Sequence, residues 1–152
     1  MAIFDAKGRL WHLQFGLHPA PVFLKRLKKK DFPWRIPPEL LFSLKEALCQ
    51  YFEQQAPFVS FPYFLLATSF ERKVLQVVRQ IPYGQVRTYR WVAQQLGQPG
   101  AVRAVGQALA RNPLPLLFPC HRVIGKKDLG GFSAGILLKK RLLRGEGLLF
   151  DS

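Results

Sequence analysis

Acidic residues are scarce in this chain. Nine Asp and Glu stand against 23 Lys and Arg in 152 residues, a formal net charge of +14. Such a surface attracts polyanions at long range, either nucleic acid or an anionic membrane. Long apolar runs are missing too. None approaches the ~20 residues that span a bilayer, and Asp5, Lys7 and Arg9 interrupt the N-terminus where a signal peptide needs a continuous apolar stretch. A membrane partner is set aside, and the expectation is a soluble protein kept inside the cell, cytoplasmic or, in a eukaryote, nuclear. Cysteine is almost absent. Cys49 and Cys120 are too few for a disulfide framework, and with His12, His18 and His121 scattered along the chain they lack the spacing of a zinc site. One bridge is the most they could make; the reading taken is two reduced thiols, with Cys49 a small core hydrophobe.

What is present is a real core and a patterned second half. Apolar residues make up 49% of the chain, enough to exclude disorder as the default. The first 61 residues are rich in Phe, Pro and Leu. Residues 10–15 and 20–24 read as short strands around a glycine-containing turn, and residues 25–30 as a solvated basic run. Pro37-Pro38 precedes a helix over 39–54 whose apolar positions are Leu40, Leu41, Leu44, Leu48 and Phe52. Pro57 and Pro62 mark 55–62 as a linker. Beyond it, Ser69 is a candidate cap for a helix carrying Phe70, Val74, Leu75, Val77 and Val78. The predicted class is α/β (α+β): a small strand-containing domain over 1–61 and a mainly helical domain over 62–152.

Two short helices follow. Thr88 caps the first, which carries Trp91, Val92 and Leu96; a turn at 97–100 leads into the second, over 101–110. Short helices joined by a glycine-containing turn form a helix-turn-helix pattern. The second is full of Ala and Gly, so it can approach a duplex backbone closely, and Arg103, Gln107 and Arg111 lie on one face at i, i+4 and i+8. From residue 67 onward there are 14 basic and 4 acidic residues, so this half carries most of the excess charge. The prolines between 112 and 119 predict an extended, largely apolar segment. It ends in Pro119-Cys120-His121-Arg122-Val123, where a thiol stands beside an imidazole and a guanidinium. Positive charge of that kind lowers a thiol's pKa and favours the nucleophilic thiolate.

Those five residues resemble the active-site signature of the O6-alkylguanine-DNA alkyltransferases, or methylated-DNA–protein-cysteine methyltransferases. The likeness continues through Ile81-Pro82-Tyr83-Gly84 and Thr88-Tyr89, Arg103-Ala104-Val105-Gly106 with Asn112-Pro113, Gly131-Phe132-Ser133-Ala134-Gly135, and Leu142-Leu143 to Glu146-Gly147. It covers residues 69–147, in order. The resemblance implies a single-turnover repair protein that flips an alkylated guanine out of double-stranded DNA, as chemistry on a stacked base requires, and takes its alkyl group irreversibly onto Cys120. It implies His121 as a base acting through a water, Glu146 as its orienting carboxylate, Tyr89 as the proton donor that also presses on the phosphate, and Asn112 as the hinge. Pro115, Val123, Phe132 and Ser133 would meet the alkylguanine. Thr88, Tyr89, Arg90, Ala101, Arg103, Ala104, Gly106, Gln107 and Arg111 would face the duplex, with Arg103 filling the space the base vacates.

Phe132 and Ala134 stand where many members have tyrosine and glycine, which bears on the range of alkyl groups accepted. No metal or other cofactor is expected, nor a zinc site, and the protein is expected to act as a monomer. Two other readings are a lesion-binding relative that does not accept the alkyl group, which would lack Cys120, and a plain helix-turn-helix regulator, which would need no cysteine behind its recognition helix.

Overall fold

Residues 2–5, 7–15, 38–58 and 60–150 are described by the structure, a computed structural model. Its first element is a hairpin of β1 (Ala2–Phe4) and β2 (Leu10–Leu13), antiparallel. The Asp5 carboxylate ties the turn by accepting from the Lys7 and Arg9 amides and the Trp11 indole, each at 2.9 Å. The second strand is the expected one, ending at Leu13 rather than 15. Its amides bond outward: Leu10 donates to the Pro62 carbonyl at 2.7 Å and Leu13 to the Pro113 carbonyl at 2.9 Å. The hairpin is thereby anchored both to the linker and to the segment that leads to the cysteine. The predicted strand at 20–24, the turn before it, the basic run at 25–30 and His18 lie outside the described residues.

Helix α1 (Pro38–Glu53) begins on a proline, which a first helical turn tolerates because its missing N–H has no intrahelical partner there. Its buried face is Leu44, Ala47 and Tyr51. The predicted stripe is rotated from this, since Leu41 and Phe52 are 46% and 48% exposed. Counting tyrosine and alanine as core residues recovers the correct face. Cys49, expected in the core, is half-buried.

The cap of α2 (Ser69–Arg79) is Thr68, not Ser69. Thr68 and Glu71 form a reciprocal capping box, Glu71 N–H to Thr68 Oγ1 at 3.2 Å and Thr68 N–H to Glu71 Oε2 at 2.9 Å. The three-residue spacing to Glu71 decides between the two hydroxyls. Thr88 caps α3 (Tyr89–Gln95) as predicted, accepting from the Trp91 amide at 3.1 Å. That helix ends in a Schellman motif at Gly97 (φ +69°), with Gln98 N–H bonding the Ala93 carbonyl and Gly97 N–H the Gln94 carbonyl. Helix α4 (Val102–Ala110) then packs on α2 and α3, completing the helix-turn-helix.

The segment 112–119 is not extended. It winds into a turn in which Phe118 N–H bonds the Leu114 carbonyl at 3.0 Å, with Leu116 at φ +72°. The prolines fix their own φ, but Leu114, Leu116, Leu117 and Phe118 are all buried, and a compact turn puts all four into the core where an extended strand would turn alternate ones out. A 3-10 turn (Cys120–Arg122) follows, then β4 (Val123–Ile124), which pairs in parallel with β3 (Arg87–Thr88), and finally α5 (Ile136–Gly145). One apolar cluster joins Phe4, Leu10 and Leu44 to Val74, Val105, Phe118 and Leu142, residues from both sides of the 61/62 boundary. Among the described residues no helix is long and apolar enough to cross a membrane.

Candidate active site

Asn112, one residue past the Arg111 C-cap of α4, connects that helix to the sulfur. Its side-chain oxygen accepts from the Leu114 amide at 3.0 Å, and its Nδ2 donates to the Phe118 carbonyl at 2.8 Å and to Cys120 Sγ at 3.1 Å. One amide thus shapes the turn and supplies the sulfur with a donor. Cys120 is 6% exposed and lies in a cleft of about 590 Å³, within the ~300–1,000 Å³ usual for small-molecule sites. Arg103, Gly106 and Gln107 of α4 form one wall, Gly131, Phe132 and Ser133 the opposite one, and Tyr89 also contributes.

The electrostatics depart from expectation. Burial pushes the Cys120 thiol up, and the Asn112 hydrogen bond and the Lys139 cation oppose this without overcoming it. The resting group is a thiol. Arg122, its neighbour in sequence, turns away from the sulfur and binds Glu146 through Nε and Nη2, at 2.8–3.1 Å. The cation near the sulfur is instead Lys139, which the sequence reading passed over. It is fully buried and donates to the carbonyls of Val123 at 2.6 Å, Leu129 at 2.5 Å and Gly131 at 3.2 Å, holding the loop over the cleft. Burial lowers its pKa to about 8, while Cys120 and Asp128 pull it back up.

Behind the sulfur, His121 Nε2 lies 2.7 Å from Glu146 Oε1, the pairing expected of a base and its orienting carboxylate. Burial pushes the Glu146 carboxyl up, but hydrogen bonds from His121 and Arg122 outweigh it and hold the pKa at about 2. An ionised carboxylate only accepts, so His121 carries its proton on Nε2. Its Nδ1 is buried and, among the described residues, unpartnered, a bare lone pair as a base needs. Burial also lowers the imidazole's pKa, with the Glu146 hydrogen bond acting against it, so the ring is neutral at pH 7. Among the described residues its hydrogen bonds run to Glu146 and Tyr51, not to the sulfur.

Tyr89 donates to the Gly131 carbonyl at 3.2 Å, and burial, then the nearby Cys120, raises its phenol pKa. Gly130 (φ +64°) makes room for it: a Cβ there would stand 2.6 Å from the ring. Gly106 faces the same ring from α4, leaving 3.9 Å to an added Cβ.

Of the other residues singled out from sequence, Arg90, Arg103, Ala104 and Gln107 are exposed and Ala101 is half-buried. Thr88 is committed to its cap. Arg111 pairs with Glu71 at 3.4 Å. Phe132 and Ser133 line the cleft; Pro115 and Val123 are not among its lining residues. Pro115 sits half-buried in the turn, and Val123 is fully buried with its carbonyl on Lys139. Tyr51, Lys139 and the Gly84 amide, which donates to Glu146 Oε2 at 3.0 Å, were not read as parts of the site, and Arg122 was read only as a cation beside the thiol. A signal existed for Lys139: it sits at i, with Leu142, Leu143 and Glu146 at i+3, i+4 and i+7, a charge in the core phase of α5.

Residues 69–148 match the family model described as 6-O-methylguanine DNA methyltransferase, DNA binding domain. A methylated-DNA–protein-cysteine methyltransferase of Archaeoglobus fulgidus is 50% identical over 105 residues, 65% of this chain and 70% of that protein. Further relatives of the same name overlap over about half their length. Among solved structures, Mycobacterium tuberculosis OGT in complex with DNA is 40% identical over 67% of this chain and 64% of that one, with a TM-score of 0.65. An O6-methylguanine DNA methyltransferase from Methanococcus jannaschii is 31% identical over 100% and 90%, with a TM-score of 0.70.

Proposed function

From the premise that the chain belongs to the methylated-DNA–protein-cysteine methyltransferase family, we propose that it reverses O6-alkylguanine damage in double-stranded DNA by irreversible transfer of the alkyl group to its own Cys120. The observation that carries this is the sulfur at the floor of the cleft beneath α4, with a donor on it from Asn112 and a neutral imidazole behind it. A flipped guanine enters the cleft. The sulfur attacks the alkyl carbon, an S–C bond forms and the C–O6 bond breaks. The thiol proton passes through a water to His121 Nδ1, and the departing guanine anion takes the Tyr89 hydroxyl proton. The raised pKa of Tyr89 keeps that proton in place until it is needed. Because the thioether is permanent, each molecule acts once. The protein acts as a monomer on genomic DNA, in the cytoplasm or the nucleus, with residues 1–61 as a support domain for 62–152.

Duplex binding uses the exposed residues of α4 and the cationic surface around it, so affinity falls steeply with salt. Phe132 and Ser133 bound the base, and Arg103 stands at the mouth. The test is intact mass after incubation with methylated duplex: one methyl increment is expected, absent in Cys120→Ala. Binding without an increment would indicate a lesion-binding module instead. Arg103→Ala should slow repair of duplex at least ~10-fold while sparing transfer from free alkylguanine, because flipping belongs to the duplex alone. Equal losses on both substrates would remove its flipping role.

A further inference from the structure

Tyr51 comes from α1, in the half of the chain that carries no motif, yet its hydroxyl lies in the centre of the relay. It stands 2.7 Å from Glu146 Oε1 and 3.2 Å from His121 Nε2, fully enclosed. Edge-on contacts with Phe52, Phe58, Tyr83 and the His121 ring hold it there. We propose that Tyr51 is a positioning residue for the transfer reaction: its hydroxyl helps fix His121 as the Nε2–H tautomer and tempers the Glu146 carboxylate, so that Nδ1 stays bare and unprotonated. This rests on the function proposed above.

The argument is one of donors and acceptors. Tyr51 has a single proton, and the ionised Glu146 can only accept, so the proton goes to Oε1. The tyrosine oxygen then shows only lone pairs to Nε2. With a carboxylate oxygen 2.7 Å away as well, a bare Nε2 would face lone pairs on two sides, and the alternative tautomer is excluded. The second effect is on charge. Oε1 accepts from His121, Arg122 and Tyr51 together. Each donor draws on the same negative charge, so the tyrosine weakens the pull of Glu146 on a proton at His121. Without it the imidazolium gains stability and the ring takes up its proton at a higher pH. The charged or titratable groups that face the ring are Glu146 and Arg122, Tyr51 from α1 and Lys139 from α5.

Tyr51→Phe keeps the ring and removes only the hydroxyl. Single-turnover transfer from methylated duplex, measured across pH, should show the acidic limb moved upward by about half to one pH unit. The loss should be roughly 3- to 10-fold near that limb and shrink at alkaline pH. A uniform loss at every pH would mean that the residue only packs, and no change would mean that it does nothing; either overturns the proposal. Nitrogen-15 spectra of the His121 ring give a readout that needs neither activity nor the variant. In the native protein Nε2 should be the protonated nitrogen, and a proton on Nδ1 would overturn the assignment. If native protein transfers no methyl group while its ring shows Nε2–H, the functional reading fails and only the tautomer assignment stands.

Discussion

Glu146 and Cys120 are both buried, and they are treated in opposite ways. The carboxylate receives hydrogen bonds from four residues, His121, Arg122, Tyr51 and Gly84, and is held ionised. Among the described residues the sulfur receives one side-chain donor, from Asn112, and is held as the thiol. The back of the site is saturated and the front is sparse. A group that must keep a fixed charge and geometry is given every partner it can accept. A group that must form a bond is left with space before it and only enough donor strength to make its thiolate reachable. The base between them shares both characters, its Nε2 committed and its Nδ1 open.

Breaking the saturated side should have the largest effect. Glu146→Gln removes the neutralising charge from Arg122, which is 7% exposed, and stranding a buried charge costs about 3–5 kcal/mol. It also frees the imidazole to rotate, so transfer should fall by roughly 10²- to 10⁴-fold. Urea unfolding and single-turnover kinetics read the two losses; intact stability would mean the network around the carboxylate contributes nothing. The sign with pH follows. A carboxyl held at about 2 against an ordinary 4.5 gives stability that is complete above pH 4.5 and drains away as pH falls toward 2. The variant should lack that acid limb.

Asn112→Ala breaks the sparse side. The sulfur loses its one side-chain donor, the thiol pKa climbs further, and the Leu114 amide loses its acceptor. Transfer from free alkylguanine at pH 7 should drop roughly 10-fold, with a deficit that narrows as pH rises, because only the thiolate reacts. A deficit independent of pH would assign Asn112 to turn shape alone.

The same contrast explains how much could be read without coordinates. The helices of the second half were legible because apolar spacing, Thr88 and the glycines at 97 and 100 all mark boundaries by local rules, and Cys120, His121 and Glu146 fall in short motifs. The turn at 112–119 was not, because proline restricts φ locally while the choice between extended and folded was made by four apolar side chains seeking one core. Nor was the face of α1 legible: Tyr51 is buried through its hydrogen bond to a residue 95 positions away, which no periodicity encodes. Cys120's raised pKa is equally non-local. The nearby Arg122 is cationic but is claimed by Glu146, and His121 is neutral, so burial decides.

Lys139 offers the finest test, because it is the front's answer to Arg122: a buried cation satisfied by three carbonyls in place of a carboxylate. Burial, only partly offset by Cys120 and Asp128, lowers its pKa to about 8, so native stability carried by this group is lost as pH falls through 8 and regained toward 10.5, opposite in sense to the raised thiol beside it. Lys139→Met should abolish that alkaline gain. It should also raise the apparent pKa for alkylation of Cys120 by iodoacetamide by about half a unit, since a nearby cation favours thiolate. Cys49→Ser is the background to use, because the half-buried second thiol would otherwise react as well. If the alkylation profile stays put while the protein loses stability, the lysine serves only to pin the loop over the cleft, and the thiolate is made by Asn112 and the backbone without it.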